Sequence, residues 1–370
     1  MPSSPLYDVV LVGGGLVGAC LAEELATGGA TVLVLDAGGE PGHATTQAAG
    51  VAVPSLRHLG DEEFHRWLVD AQGALRDDIR RLEPGHGPFS LARPMVRLLT
   101  DDDVRALPEA SGNAALGQAL TSAELDALAP GVRVPAGRRP FMAEDGLLVN
   151  GGSYLRAVRA AALAAGAGWR QETTVSAVEE EVSGLRVRAA DGFAARADRV
   201  VLTAGAWTGQ LAPLPIGPQR GQLAVLEADA ELGCILSGRL YMAPLPDGRI
   251  VVGATEEQAG FADHCTAGTA AGLLAYAVRT LPDLSEAVVS ELRAGLRPLS
   301  GTGRPLVGRV PGRSRLYVAA GHAGHGLISS RLTARGLAAG LLRCDWEELP
   351  ERFCPNAELS AGMPATVVGR

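Results

Sequence analysis

One segment near the N-terminus restricts the fold more than any other. Residues 7–11 (YDVVL) form a short apolar, β-branched run of the kind found in buried parallel strands. Val12-Gly13-Gly14-Gly15-Leu16-Val17-Gly18 follows at once, residues 19–27 read as a helix, and residues 30–35 (ATVLVL) as a second strand ending on Asp36. Gly13 suits a tight turn, Gly15 lets a pyrophosphate approach the backbone, and Gly18 lets helix and strand pack closely. The helix N-terminus then faces the phosphates, and Asp36 can accept hydrogen bonds from a ribose diol while repelling a 2′-phosphate. Strand, turn, helix, strand and acid in this order predict a doubly wound, dinucleotide-binding α/β unit.

Composition narrows the chemistry. The 370 residues are 47% hydrophobic and 20% charged, enough for a large core and unlike a disordered chain. All 33 basic residues are arginine, which excludes a Schiff-base lysine, a phosphate-loop lysine and any lysine base. A net charge of -8 without an arginine-rich block argues against nucleic acid as a partner. Residues 1–7 lack the pattern of a signal peptide, and no run of about 18 uncharged apolar residues suggests a membrane span. Five scattered cysteines (Cys20, Cys234, Cys265, Cys344 and Cys354) predict reduced thiols in the cytoplasm, with neither a disulfide framework nor a metal site.

His43-Ala44-Thr45-Thr46-Gln47-Ala48-Ala49-Gly50-Val51 resembles the flavin-contacting loop of the D-amino-acid oxidase superfamily, especially glycine oxidase and its sarcosine-oxidase-like members. Further motifs follow in order: Asp145-Gly146-Leu147-Leu148-Val149-Asn150, then residues 200–207 (VVLTAGAW), then Pro218-Gln219-Arg220-Gly221-Gln222 and residues 250–255 (IVVGAT). Ala294-Gly295-Leu296-Arg297-Pro298, Gly303-Arg304-Pro305-Leu306-Val307-Gly308 and residues 320–327 (AGHAGHGL) complete the set. The resemblance implies a Rossmann-like FAD-binding domain with a parallel sheet, interleaved with an antiparallel-sheet substrate domain. The first would comprise residues 1–80, 145–212 and 301–345, the second 81–144 and 213–300, with 346–370 a partly loose tail. Independently of the resemblance, Asp191-Gly192 and Pro246-Asp247-Gly248 signal hairpins within 184–201 and 240–254, residues 157–165 read as a helix, and 316–320 as a strand before a helix at 327–342.

By resemblance, FAD contacts fall to Gly13, Gly15, Leu16, Val17, Gly18, Asp36, Ala37, Thr45, Thr46, Ala49, Gly50 and Val51, then Val175, Ala204, Gly205 and Trp207. The later set is His322, Gly324, His325, Gly326, Leu327 and Ile328. The implied reaction is oxidation of a C–N bond in an amino acid or related amine, with hydride passing from the α-carbon to flavin N5 to leave an imine. Arg297 lies in an apolar stretch, and a buried guanidinium needs an anion. The resemblance makes that anion the substrate carboxylate, although a protein acid or carbonyl cap would also satisfy it. Tyr241 is implied to line the pocket. Relatives usually carry a second carboxylate-binding arginine where this chain has Gly324, so a larger pocket or another amine is expected, and His325 joins Arg297 and Tyr241 as a candidate catalytic residue.

No cysteine lies near 297–305, the usual thiol attachment zone, and Gln47 stands where some relatives carry a flavin-linked histidine, so FAD should be noncovalent. Sarcosine-oxidase-like relatives use a lysine to help oxygen react. Here an oxidase would take that charge from His322, His325 or an arginine or manage without it, and otherwise the enzyme would be a dehydrogenase with another acceptor. A flavin-binding protein acting on a non-carboxylate substrate is a further alternative. An aromatic hydroxylase fits less well, because Gly321-His322 stands where that class has Gly-Asp. The expected partner is the small-molecule substrate, with a homo-oligomer left open.

Overall fold

The computed structural model describes residues 6–39, 42–107 and 116–356. The targeting expectation for 1–7 and the tail expectation beyond 356 therefore fall largely outside the described residues.

The apolar run at the N-terminus forms strand Leu6–Val12, which pairs in parallel with Val32–Leu35 on one side and Ala194–Leu202 on the other. Gly168–Arg170 extends the sheet beyond Val32–Leu35, and Leu316–Ala320 pairs in parallel with the far end of Ala194–Leu202. Leu306–Arg309 adds an antiparallel edge. Val175–Glu181 and Gly184–Ala189 make an antiparallel ribbon on the first half of Ala194–Leu202, closed by the expected turn at Asp191-Gly192. All eight of these described strands come from 6–35, 168–202 and 306–320.

The second sheet has nine described strands, ordered Gly42–His43, Val288–Ser300, Ile216–Glu227, Ile250–Gly253, Tyr241–Pro244, Ile235–Ser237, Met95–Thr100, Arg138–Ala143 and Gln118–Ala119. Apart from the two-residue strand Gly42–His43, all lie within 95–143 and 216–300. The hairpin expected at 240–254 is present as Tyr241–Pro244 against Ile250–Gly253.

Several elements extend further than local pattern suggests. The helix read at 157–165 spans Gly151–Ala164, because the Asn150 side chain caps it by accepting from the Ser153 N–H at 2.9 Å. The strand Val288–Ser300 runs through Pro298, which faces Pro218, so neither proline removes a needed donor from its partner. Helices Leu16–Thr27, Gly151–Ala164, Gly326–Arg343 and the long Glu62–His86 cover one face of the parallel sheet around a common apolar core.

That core contains an ionic knot. Arg331, 2% exposed, donates to Asp78 at 2.6 Å, Glu24 at 2.8 Å and Glu23 at 2.5 Å, while the Tyr154 hydroxyl donates to Asp78 at 2.6 Å. A buried guanidinium survives there because every face of it meets a carboxylate. Among the described residues, no helix is long and apolar enough to cross a membrane.

Candidate active site

A cavity of about 540 Å³ opens between the carboxyl ends of the parallel strands and one face of the antiparallel sheet. Open α/β sheets bind ligands at this place, where the loops leaving adjacent strands diverge. Gly15, Leu16 and Val17 enter it from the glycine turn, Thr203 and Gly205 from the end of Ala194–Leu202, and Ala319, Ala320 and His322 from the end of Leu316–Ala320. The opposite wall follows the strand period of two: Gln219, Gly221 and Leu223 from one strand, Gly295, Arg297 and Leu299 from its neighbour.

The cradle fits a dinucleotide diphosphate. Gly13 has φ 111°, and a Cβ there would meet the Thr203 carbonyl oxygen, while a Cβ on Gly18 would overlap the Gly13 carbonyl oxygen. Gly15 differs, since a Cβ there would have only the Thr45 hydroxyl oxygen nearby, at 3.7 Å, on the cavity side. Helix Leu16–Thr27 has no cap from its own N-cap residue and no acid in its first turn; the Leu16 N–H reaches the Thr45 hydroxyl at 3.4 Å, and the following amides and the positive dipole end suit an anion. Helix Gly326–Arg343 presents a second N-terminus of the same kind at the cavity. The Asp36 carboxylate accepts from the Gly14 and Gly38 amides, and its remaining lone pairs suit a diol.

The other expected residues divide by position. Thr45, Ala49, Gly50, Val51, Gly324, His325, Gly326 and Leu327 line the cavity, as do Arg297 and Tyr241. Gly13, Gly18, Asp36, Ala37, Thr46, Val175, Ala204, Trp207 and Ile328 do not. Val175 pairs with Ala189 and packs on the core beyond the sheet, Ile328 is buried in the helical core, and Trp207 packs against Phe261 with ring centroids 5.7 Å apart.

Arg297 has no carboxylate within ion-pair distance among the described residues. Its Nη1 donates to the Thr255 carbonyl at 2.7 Å. That carbonyl is held from behind by a buried network that sequence reasoning missed. Glu257 accepts from Arg220 at 2.7 Å and from the Gln222 amide at 2.9 Å, and the Thr255 hydroxyl accepts from the Gln222 N–H at 2.9 Å. The Pro218-Gln219-Arg220-Gly221-Gln222 motif thus has a geometric reason: Arg220 and Gln222 grip Glu257, and Gly221 leaves room for the Arg297 guanidinium. Tyr241 stands close to Arg297, and burial pushes its hydroxyl up to about 12, with the arginine opposing, so it remains a neutral phenol.

The histidines of the final turn are buried or half-buried at the cavity. Burial lowers His322 to about 4, and burial with repulsion from His58 and His322 lowers His325 to about 3, so neither carries charge near neutrality. Nε2 of His325 shares a hydrogen bond with Nε2 of His58 at 2.8 Å, which requires opposite tautomers on the two rings. His322 bonds the Thr333 hydroxyl at 3.1 Å. His58, on a short turn after Ser55, had no local signal to mark it. At the mouth Arg57 pairs with Glu256 at 2.8 Å. None of the five cysteines lines the cavity, and all are free thiols.

Residues 8–340 match the family described as FAD dependent oxidoreductase. Glycine oxidase from Pseudomonas putida is 31% identical over 344 residues, covering 87% of this chain and 90% of that protein. The solved structure of iminodiacetate oxidase from Chelativorans sp. BNC1 superposes with a TM-score of 0.82 at 28% identity, covering 94% of this chain and 98% of that one. The bifunctional ThiO/ThiG protein of Trichormus variabilis is 29% identical over 344 residues, and the chain spans about half its length, 52%. The strands, the helix N-terminus over a glycine cradle and the arginine-bearing cavity meet these relatives in one conclusion: the chain belongs to the family of FAD-dependent oxidoreductases.

Proposed function

We propose that this chain oxidises the C–N bond of a small amino acid or related amine to the imine, using noncovalently held FAD and passing electrons to oxygen. The reading rests above all on Arg297, a guanidinium lining the cavity with one carbonyl as hydrogen-bond partner and no protein acid within ion-pair distance among the described residues. Such a group fits a substrate carboxylate bidentately. Relatives named glycine oxidase and iminodiacetate oxidase support the same class of substrate.

When bound, FAD supplies the acceptor for the electron pair and hydrogen leaving the α-carbon. The chain supplies placement. Arg297 holds the carboxylate, Thr255 fixes the arginine, and neutral Tyr241 offers a donor or acceptor beside it. The surrounding apolar wall, including Leu223, Leu299 and Leu327, excludes water from the reacting bond. The absence of cysteine from the cavity supports a noncovalent cofactor, and the five free thiols favour a cytoplasmic location. We assign the FAD-binding unit to 1–80, 145–212 and 301–345 and the substrate unit to 81–144 and 213–300, because the two large sheets draw their strands from these segments, with Gly42–His43 and the small ribbon of Ser90–Ala92 with Leu147–Val149 crossing between them.

A second reading, a dehydrogenase with a non-oxygen acceptor, has one observation in its favour. The chain has no lysine and its two cavity histidines of the final turn are neutral, so arginine is the remaining cation for assisting oxygen. Anaerobic reduction by amino acids, followed by admission of air, separates the two. Rapid reoxidation with stoichiometric hydrogen peroxide supports the oxidase. A reduced flavin that persists in air but bleaches a dye acceptor supports the dehydrogenase.

A further inference from the structure

The ionised side chains of the cavity do not balance. Among the described residues its wall carries Arg57, Arg239, Arg297 and Glu256, with His58, His322 and His325 the other titratable groups besides Tyr241. Arg57 and Glu256 neutralise each other across the mouth. Arg297 and Arg239 are left, two cations in one cavity of a chain whose net charge is -8. One carboxylate satisfies one of them.

The backbone of Arg239 is held in place, and the residue is exposed at the cavity wall. It is the middle residue of the turn Gly238-Arg239-Leu240 between paired Ser237 and Tyr241. The Leu240 carbonyl accepts from the Gly238 N–H at 2.8 Å and from the Tyr276 hydroxyl at 3.0 Å, so both the turn and a neighbouring helix fix its backbone. Every residue from Ser237 to Tyr241 lines the cavity. Among the described residues no carboxylate lies within ion-pair distance of Arg239. A Cβ on Gly324, which also lines the cavity, would meet nothing within 4 Å, so that position leaves its space open.

We propose that Arg239 is the ligand for a second carboxylate, and that the preferred substrate is an amine carrying two carboxylates rather than one. This rests on reading the cavity as an amine-oxidation site in which Arg297 takes the carboxylate next to the reacting carbon. Arg239 then takes the distal one. The distal contact leaves the chemistry unchanged and selects for length and charge, while the two arginines on the cavity wall draw dianions towards an otherwise acidic protein.

Binding of straight-chain dicarboxylates from malonate to adipate to the FAD-loaded protein, each against the monocarboxylate of equal length, tests the subsite by calorimetry without turnover. At the best-fitting length the dicarboxylate should bind about tenfold or more tighter, the range of a charge-assisted contact. Arg239→Gln should bring the pair level with monocarboxylate affinity unchanged, whereas Arg297→Gln should weaken both. Anaerobic reduction should show the same preference for iminodiacetate or glutamate over glycine and sarcosine, lost in Arg239→Gln. Equal affinity for the two series in the wild-type protein, or equal losses for both in Arg239→Gln, overturns the subsite while leaving the amine-oxidation reading intact. Failure of every carboxylate to bind and of every amine to reduce the flavin overturns both.

Discussion

The guanidinium of Arg297 lies over the backbone of Gly221, where a Cβ would come within 2.5 Å of Nη2. The two residues share a face because Arg297 pairs with Gln219 and Gly221 is its diagonal neighbour. The atoms displaced by a methyl group there belong to the mobile end of a side chain. Gly221→Ala should therefore fold with nearly unchanged stability but swing Arg297 away from Thr255. Its KM for carboxylated substrates should rise about tenfold or more, the loss of one charge-assisted contact. Thermal unfolding beside steady-state kinetics checks both halves, and an unchanged KM would show that the glycine serves another purpose.

Gly18 behaves differently, since its missing Cβ would overlap a backbone oxygen of Gly13 that has nowhere to go. Gly18→Ala should force the helix off the glycine turn, costing about 1–3 kcal/mol by overpacking, and should lower FAD content on purification. The flavin-to-protein absorbance ratio and a urea melt measure these together. Full FAD occupancy in that variant would count against the diphosphate cradle.

Arg331→Met should be among the most destabilising single changes. It leaves Asp78, 1% exposed, and Glu23 with only the half-exposed Arg81 as a shared cation, at a cost of about 3–5 kcal/mol. Arg335→Ala, on the same helix with its pair to Glu24 at 3.7 Å and half-exposed, should change stability by about 0–1 kcal/mol. Chemical denaturation of both variants separates a buried knot from a surface pair.

The pH dependence follows from burial of His322. Its folded value of about 4 lies below the ordinary value of 6.5, so the unfolded chain takes up a proton that the folded protein refuses. The stability concerned is complete above about pH 6.5 and is lost as pH falls towards 4, at up to about 1.4 kcal/mol per pH unit for one proton. Wild-type protein should thus show a steeper acid loss across that window than His322→Gln, measured as the slope of unfolding free energy against pH. Parallel slopes would mean that His322 protonates in the folded state.

Those residues differ in how far the chain itself revealed them. Gly13, Gly15, Gly18 and Asp36 sit within one strand–helix–strand unit, where spacing alone dictates geometry, and that unit and the mixed α/β class were readable before any coordinates. Arg297 was conspicuous as a charge set among Gly295, Leu296 and Pro298. Glu257 was not, because its partners Arg220 and Gln222 are 37 and 35 residues away and strand pairing alone brings them together. His58 meets His325 across 267 residues, and the neutrality of both cavity histidines of the last turn is a consequence of burial that no spacing encodes. Helix starts were misplaced by a few residues where caps such as Asn150 act outside the apolar pattern.

The most direct test of the central claim is anaerobic flavin reduction in wild-type protein and Arg297→Ala, using a carboxylated amine and the same amine with its carboxylate converted to an amide. The account predicts fast bleaching by the carboxylated substrate in the wild type and a fall in the second-order reduction rate equivalent to about 2–5 kcal/mol in Arg297→Ala. The amide should be slow with both proteins. Equal reduction rates for the two substrates, or an Arg297→Ala variant as fast as wild type, would contradict the assignment of Arg297 as the carboxylate clamp.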